Sequence, residues 1–486
     1  MSNMFAISLT FIAYLAVMLW IGVWAYRRTT NLSDYIIGGR SLGPWPSALS
    51  AGASDMSGWL LLGLPGAVYA SGLGASWIAI GLLVGTYLNW LVVAPRLRAY
   101  SQAASDSLTL PQYFSNRFED TVWIRVIAAF FILLFFLFYT SSGLVAGGKL
   151  FESVFGLDYT LAVTIGTLAV VSYTLFGGYL AVSWTDLVQG LLMAAALILV
   201  PIAALIAVGQ GPVGVLTDTN PNMLSMFTTP DGSTLGAMAI ISSLAWGLGY
   251  FGQPHILARF KGIKSRAEVP TARRIAVTWT FIGMAGALLV GIAGNGYFET
   301  ALADPETVFI SLVQGIFHPL VAGILLAAIL AAIMSTADSQ LLVSSSALTE
   351  DFYKSLFNKD ADPQLLVKIG RAAVVVIAII AWLFALNPDS SVLSLVSYAW
   401  AGFGAAFGPA VILSLYWPRM NRLGCLTGII VGGVTVVLWK QLSGGLFDMY
   451  EIVPGFILST LAIVIVSQMT AEPSKEMAAT FKEVNG

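Results

Sequence analysis

Apolar stretches of about twenty residues recur almost without pause along this chain, at roughly 5–25, 42–70, 74–95, 124–147, 158–178, 181–207, 235–256, 274–297, 319–347, 366–386, 391–416, 421–442 and 453–470. A helix of that length spans the hydrocarbon of a bilayer, where backbone groups must be hydrogen-bonded internally. The expected fold is therefore all-α and polytopic, with about thirteen transmembrane helices. Barrel strands would be about ten residues long and alternate in polarity, a pattern this sequence does not show. Only 10% of the 486 residues are charged and 57% are hydrophobic, whereas a soluble domain carries roughly a quarter charged residues. A net charge of −2 gives no field for nucleic acid. The lone Cys425 excludes an intrachain disulfide, and His255 and His318 are too far apart in sequence for a zinc or haem motif. No cofactor or enzymatic activity is expected. The first residues lack a basic n-region and cleavage site, so 5–26 reads as a retained span.

Basic residues orient the chain. When alternate loops are assigned to opposite sides, all but Lys149 and Lys440 of the 23 Lys and Arg fall on one side. The positive-inside rule makes that side cytoplasmic, with the N-terminus outside and the C-terminus inside. Acidic residues give a second filter. Of the 25 Asp and Glu, only Asp55, Asp186 and Asp338 fall within spans. Buried ionisable groups are costly there and mark functional positions unless they snorkel to an interface. Asp338 and, in part, Asp186 fit that bland alternative; Asp55, about thirteen residues into its span, fits it poorly.

Two spans are interrupted. Segment 42–70 contains Ser50-Ala-Gly-Ala-Ser-Asp-Met-Ser-Gly58, and segment 235–256 contains Gly247-Leu-Gly-Tyr-Phe-Gly-Gln-Pro254. Each opens a group of five spans, a pairing that points to inverted repeats with a binding site near the midplane; two kinked structural helices are the alternative. The G-x-G-x-x-G within the second lies in an apolar helix rather than after a strand, so a dinucleotide site is rejected. Trp246, Tyr250 and Phe251 beside it suit a small-substrate pocket. Late in segment 319–347, the hydroxyls of Ser335 and Thr336, the carbonyl of Ala332 and those freed at Ala53 and Met56 offer five neutral oxygens for a hard cation such as sodium. Paired hydroxyls that back-bond to their own helix are the competing explanation.

Arg40-Ser-Leu-Gly-Pro44, Ser50 to Gly66, Trp246 to Arg259, Ala327 to Thr336 and Val396 to Pro409 closely resemble the bacterial sodium/proline symporters of the solute:sodium symporter family, and the likeness extends from about residue 5 to 470. The resemblance implies a core of five-plus-five inverted repeats like that of the leucine transporter. Residues 1–41 would form a peripheral helix and cytoplasmic loop, 42–207 the first repeat, 208–234 an outer loop, 235–416 the second repeat, 417–470 two peripheral helices and 471–486 a cytoplasmic tail. It implies sodium ligands at Ala53, Met56, Ala332, Ser335 and Thr336, with Asp186 on the inward sodium path, Asp55 supporting sodium binding and Arg40 serving coupling. Ser57, Gly58, Trp59, Tyr139, Trp246, Tyr250 and Pro254 resemble positions of the proline site.

Two departures stand out: the family's acid is replaced by Ala75, and its small hydroxyl by Asp338. The implied activity is sodium-driven uptake of L-proline across a bacterial inner membrane, with sodium as coupling ion and no obligate protein partner. Another small solute on the same scaffold, a transporter-like sensor and a channel are the alternatives.

Overall fold

The computed structural model describes residues 3–27, 36–120, 122–174, 178–358 and 360–485. Arg28 and Lys359 of the loop count, and residues 175–177 of the segment read at 158–178, lie outside them. The chain begins with α1 (Asn3–Tyr26) and α2 (Pro44–Asp55), then resumes in a wide π-helical turn, Trp59–Gly63, and α3 (Leu64–Ser71). Next come α4 (Ser76–Leu88), α5 (Ala94–Ala103), α6 (Leu110–Arg117), α7 (Trp123–Phe155), α8 (Tyr159–Thr174), α9 (Tyr179–Val208) and α10 (Pro212–Thr219). The second half holds α11 (Ala237–Leu244), a tightened 3-10 run Ala245–Gly252, α12 (Pro254–Gly262), α13 (Val269–Tyr297), α14 (Val308–Ile316) and α15 (Pro319–Ser346). It closes with α16 (Pro363–Ala385), α17 (Val392–Tyr416), α18 (Arg422–Trp439), α19 (Ile452–Met469) and α20 (Lys475–Asn485).

Ten helical runs among the described residues are long and apolar enough to cross a membrane unaided, against the thirteen segments expected. The difference has local causes. Segment 42–70 is cut after Asp55, which leaves a first half of 12 residues. Its second half merges with the next segment into one run, Trp59–Ala103, although Gly72 at φ +68° turns the chain between them. Tyr159–Ser172 and Ala237–Gly252 are apolar but shorter.

Burial separates a core from a shell. The most apolar windows of α15 and α17 are 83% and 78% buried, whereas those of α1 and α19 are 28% buried. A helix apolar all round and enclosed on every side belongs to the interior; one exposing most of its apolar surface faces lipid. Small residues allow the inner helices to approach closely. A Cβ on Gly52 would lie 2.8 Å from the Trp279 ring, and one on Gly291 2.7 Å from Val68, so α2 and α3 are both seated directly on α13.

Candidate ion and substrate site

The first broken span ends its helix at Met56, where ψ swings to 73°. The Met56 N–H still donates to Gly52, but the Ser57 N–H turns back to the Asp55 carbonyl at 2.9 Å. Ala53 thereby loses the N–H four residues ahead that would have satisfied its carbonyl. The oxygen is taken up from another helix: Ser335 Oγ of α15 donates to it at 2.8 Å and Thr336 Oγ1 at 3.4 Å. Ser335 Oγ also lies 3.2 Å from the Ala332 carbonyl. Four of the five expected sodium donors therefore meet in one buried cluster, and Met56 is the residue at which the helix stops. The back-bonding alternative holds only in part, because each hydroxyl reaches across to α2. Neutral oxygens with no formal charge suit a hard monovalent cation.

Two residues further on, the Asp55 carbonyl is similarly shared. It accepts the Tyr139 hydroxyl at 2.9 Å and Trp59 Nε1 at 3.2 Å, and Tyr250 donates to the Asp55 side chain at 2.5 Å. Trp59 and Trp246 stand with ring centroids 6.4 Å apart, and the Trp246 carbonyl accepts Trp400 Nε1 at 2.7 Å. Ser57 and Gly58 form the link between α2 and the π-helical turn, with Gly58 packed so tightly that an added Cβ would lie 2.6 Å from Ala146. Thus Ser57, Gly58, Trp59, Tyr139, Trp246 and Tyr250 surround the first break.

The second broken span differs from expectation. Gly247 to Gly252 is not unwound but tightened into a 3-10 helix, and the interruption is the single extended residue Gln253 (φ −75°, ψ 109°) before Pro254. Proline has no N–H to donate and clashes with a preceding turn, so the ladder must restart at α12. The glycines serve close contact: a Cβ on Gly249 would overlap the Trp400 indole, and one on Gly252 the Phe403 carbonyl. Pro254 does not join the aromatic group. It borders a small cavity of about 20 Å³ with Tyr179, Ala258, Arg259 and Lys261.

One turn beyond the hydroxyl cluster lies a polar network. Asp186 Oδ2 accepts Ser50 Oγ at 2.6 Å and pairs with Arg259 Nη2 at 3.3 Å. Arg259 also donates to Ser50 Oγ and to Ser339 Oγ, and Ser339 Oγ in turn donates to the Ser335 carbonyl at 2.8 Å. Asp338 lies 3.3 Å from Ser339 Oγ. Asp338 and Asp186 are both fully buried, which corrects the reading of either as a helix-end acid reaching the interface. Arg259 is equally buried and is no loop residue. Arg40 sits apart at φ 53°, pairs with Asp106 at 2.7 Å and donates to the Lys261 carbonyl at 2.7 Å, tying the segment before α2 to the end of α12.

These elements raise the question of kinship, and the sequence answers it. The pattern of the sodium:solute symporter family matches residues 35–432. The chain belongs to the sodium:solute symporter family. Within this family, the osmoregulated proline transporter OpuE of Bacillus subtilis is 52% identical over 95% of this chain and 94% of its own length. The sodium/proline symporters of Salmonella typhimurium and Escherichia coli are 52% and 51% identical, each over 98% of this chain and 95% of their own. Among solved structures, a sodium-coupled sialic acid symporter superposes with a TM-score of 0.79 at 21% identity, covering 97% of this chain and 99% of that one. MhsT bound to L-phenylalanine gives 0.54 at 14% identity over 87% and 97%. Those likenesses establish the leucine-transporter fold.

The symporter carries a second charged cluster that sequence reading did not anticipate. Lys149 bridges Asp304 at 2.7 Å and Glu306 at 2.8 Å. Glu306 also accepts Ser391 Oγ and the N–H groups of Val392 and Leu393 at 2.9–3.1 Å, capping the N-terminus of α17, where a negative charge is favoured. A cavity of about 450 Å³ bordered by Gly63, Gly66, Lys149, Asp304 and Glu306 opens beside it. Lone charges at loop ends gave no sign of this convergence, because their partners lie more than 150 residues apart.

Proposed function

We propose that this symporter moves L-proline inward with sodium by alternating access across a bacterial inner membrane, the N-terminus outside and the C-terminus in the cytoplasm. The observation that carries the reading is the division of labour at the first break. The freed Ala53 carbonyl turns to Ser335 and Thr336, while the Asp55 carbonyl turns to Tyr139 and Trp59. The identity near 50% to named sodium/proline symporters over nearly the full length supports the choice of solute. Residues 42–207 and 235–416 act as the two inverted repeats, and the shell helices bring the crossings to thirteen.

Sodium enters as a transported substrate. Ala53, Ala332, Ser335 and Thr336, with Met56 completing the set, exchange their mutual hydrogen bonds for the ion. Asp186, held by Ser50 and Arg259, lies on its route inward. Proline binds on the other side of the break, its ring against Trp59 and Trp246, its charges met by peptide dipoles and aromatic faces. Because both ligands act on the one break between Ala53 and Trp59, each lowers the free energy of the other's bound state by an equal amount.

The driving force suffices. One charge crossing 100 mV contributes about 2.3 kcal/mol, and a tenfold sodium gradient about 1.4 kcal/mol. With one sodium per proline, the total supports accumulation on the order of several-hundred-fold. Radiolabelled proline uptake in proteoliposomes tests this: an inward sodium gradient should drive accumulation above equilibrium, and equal uptake without sodium would end the coupling claim. Unlabelled sugars, carboxylates and other amino acids as competitors test the solute.

A further inference from the structure

We propose that the Asp55 carboxylate is the counter-ion for the substrate's ammonium group, and so selects amino acids over solutes that lack one. The inference rests on the symporter reading above and deepens it. Asp55 is 2% exposed. Its Oδ2 takes the Tyr250 hydroxyl at 2.5 Å, and its Oδ1 has no hydrogen-bond partner. The acids Asp186, Asp304, Glu306 and Asp351 each meet an Arg or Lys within 3.3 Å. No ion pair to Asp55 or to Asp338 is found among the described residues, but Asp338 shares the Ser339 hydroxyl with Arg259, whereas the carboxylate of Asp55 meets the Tyr250 hydroxyl. A buried carboxylate left without a cation is expensive, so a site built around one is built for a cationic ligand.

Sodium is not the only candidate cation, and the geometry argues for the other. The oxygen that gathers the hydroxyls of α15 belongs to Ala53, two residues earlier on the same helix. The hydroxyls of Ser335 and Thr336 bond that backbone oxygen, whereas the hydrogen bond to the Asp55 carboxylate comes from Tyr250. The face that Asp55 presents is instead the aromatic one: Tyr250 on the carboxylate, Tyr139 and Trp59 on the carbonyl, and Trp246 beside Trp59. Aromatic faces flank an ammonium favourably, and an N–H donor of the substrate satisfies the open Oδ1. The acid thus has a substrate role beside the support of sodium binding that the family resemblance implies.

Two binding measurements on purified protein at saturating sodium test the proposal. The first uses the native protein, with tetrahydrofuran-2-carboxylate, in which a ring oxygen replaces the amine, competing against labelled L-proline. It should compete at least 100-fold more weakly than unlabelled proline; equal competition would overturn the proposal. The second uses Asp55→Asn. Proline affinity should fall about 100-fold, in line with loss of one partner from a buried charge pair. The gap between proline and its oxygen analogue should close, because the acid that distinguishes an amine from a ring oxygen is gone. Loss of sodium binding with the discrimination between the two solutes intact would assign the acid to the ion and refute the proposal. A native protein that binds sodium but no proline would instead strike the solute reading on which this inference rests.

Discussion

Replacing Ser335 by alanine removes the hydroxyl that lies 2.8 Å from the Ala53 carbonyl and 3.2 Å from that of Ala332. Two consequences differ in size. For folding, the Ala53 oxygen keeps Thr336 Oγ1 at 3.4 Å, so the variant loses one neutral hydrogen bond, worth about 1 kcal/mol. For the ion, the variant loses one of a handful of ligands, and a hydrogen bond or contact to a charged group is worth about 1.5–3 kcal/mol. That converts to a rise of roughly 10- to 150-fold in the sodium concentration giving half-maximal uptake. The assay is initial proline uptake in proteoliposomes across a sodium titration, with a thermal melt of the same preparation. At saturating sodium the apparent proline affinity should recover to near the native value. The reasoning fails if the sodium dependence is unchanged while the melt falls, since the hydroxyl would then be only a helix-packing bond.

Other consequences follow from single contacts. Arg259→Met leaves Asp186 buried without its cation, which should cost about 3–5 kcal/mol; the double variant with Asp186→Asn should melt higher than Arg259→Met alone. Gly249→Ala drives a methyl into the Trp400 indole and displaces the bond from Trp400 to the Trp246 carbonyl. Such overpacking costs about 1–3 kcal/mol and should weaken proline binding more than Gly236→Ala, which meets nothing within 4 Å. Glu451, just before α19, has its carboxyl pKa raised from 4.5 by burial, with Lys440 at 3.7 Å opposing the shift. A folded pKa above the unfolded one favours the fold at low pH and loses that contribution as pH rises past 4.5 through the folded value. Melting curves of Glu451→Gln should accordingly decline less between pH 4.5 and pH 7 than those of the native protein.

How much of this was legible beforehand depended on whether the signal was local. Gly, Ser and Pro clusters mark both interruptions in sequence, although the unbroken α17 carries Gly402, Gly404, Gly408 and Pro409 as well. The Ser335–Thr336 pair was readable as a candidate because two adjacent hydroxyls end an unbroken apolar run over 320–334, and both turn onto the freed Ala53 carbonyl. The form of the second break was less readable. Gly247 to Gly252 reads as a hinge, yet Gly249 and Gly252 let α17 press Trp400 and Phe403 against the helix while Gly247 seats it on Gly81 of α4, and the ladder is broken before Pro254. Arg259 was misplaced because it follows the break by only five residues, and a charge close to a span's end is indistinguishable in sequence from a loop residue. Its partners Asp186 and Ser339 lie 73 and 80 residues away, and only the folded chain joins them. Asp338 was misjudged for a related reason. Its helix runs on from Ser346 through a π-helical turn to Tyr353, so the acid lies well inside it.

Equilibrium linkage tests the central claim most directly. Proline affinity should be measured at zero and saturating sodium, and sodium affinity at zero and saturating proline, in native protein and in Ser335→Ala. If one break in the first span serves both ligands, each strengthens the other by the same factor in the native protein, and that factor falls toward one in the variant. Proline affinity that is indifferent to sodium in the native protein would contradict the account.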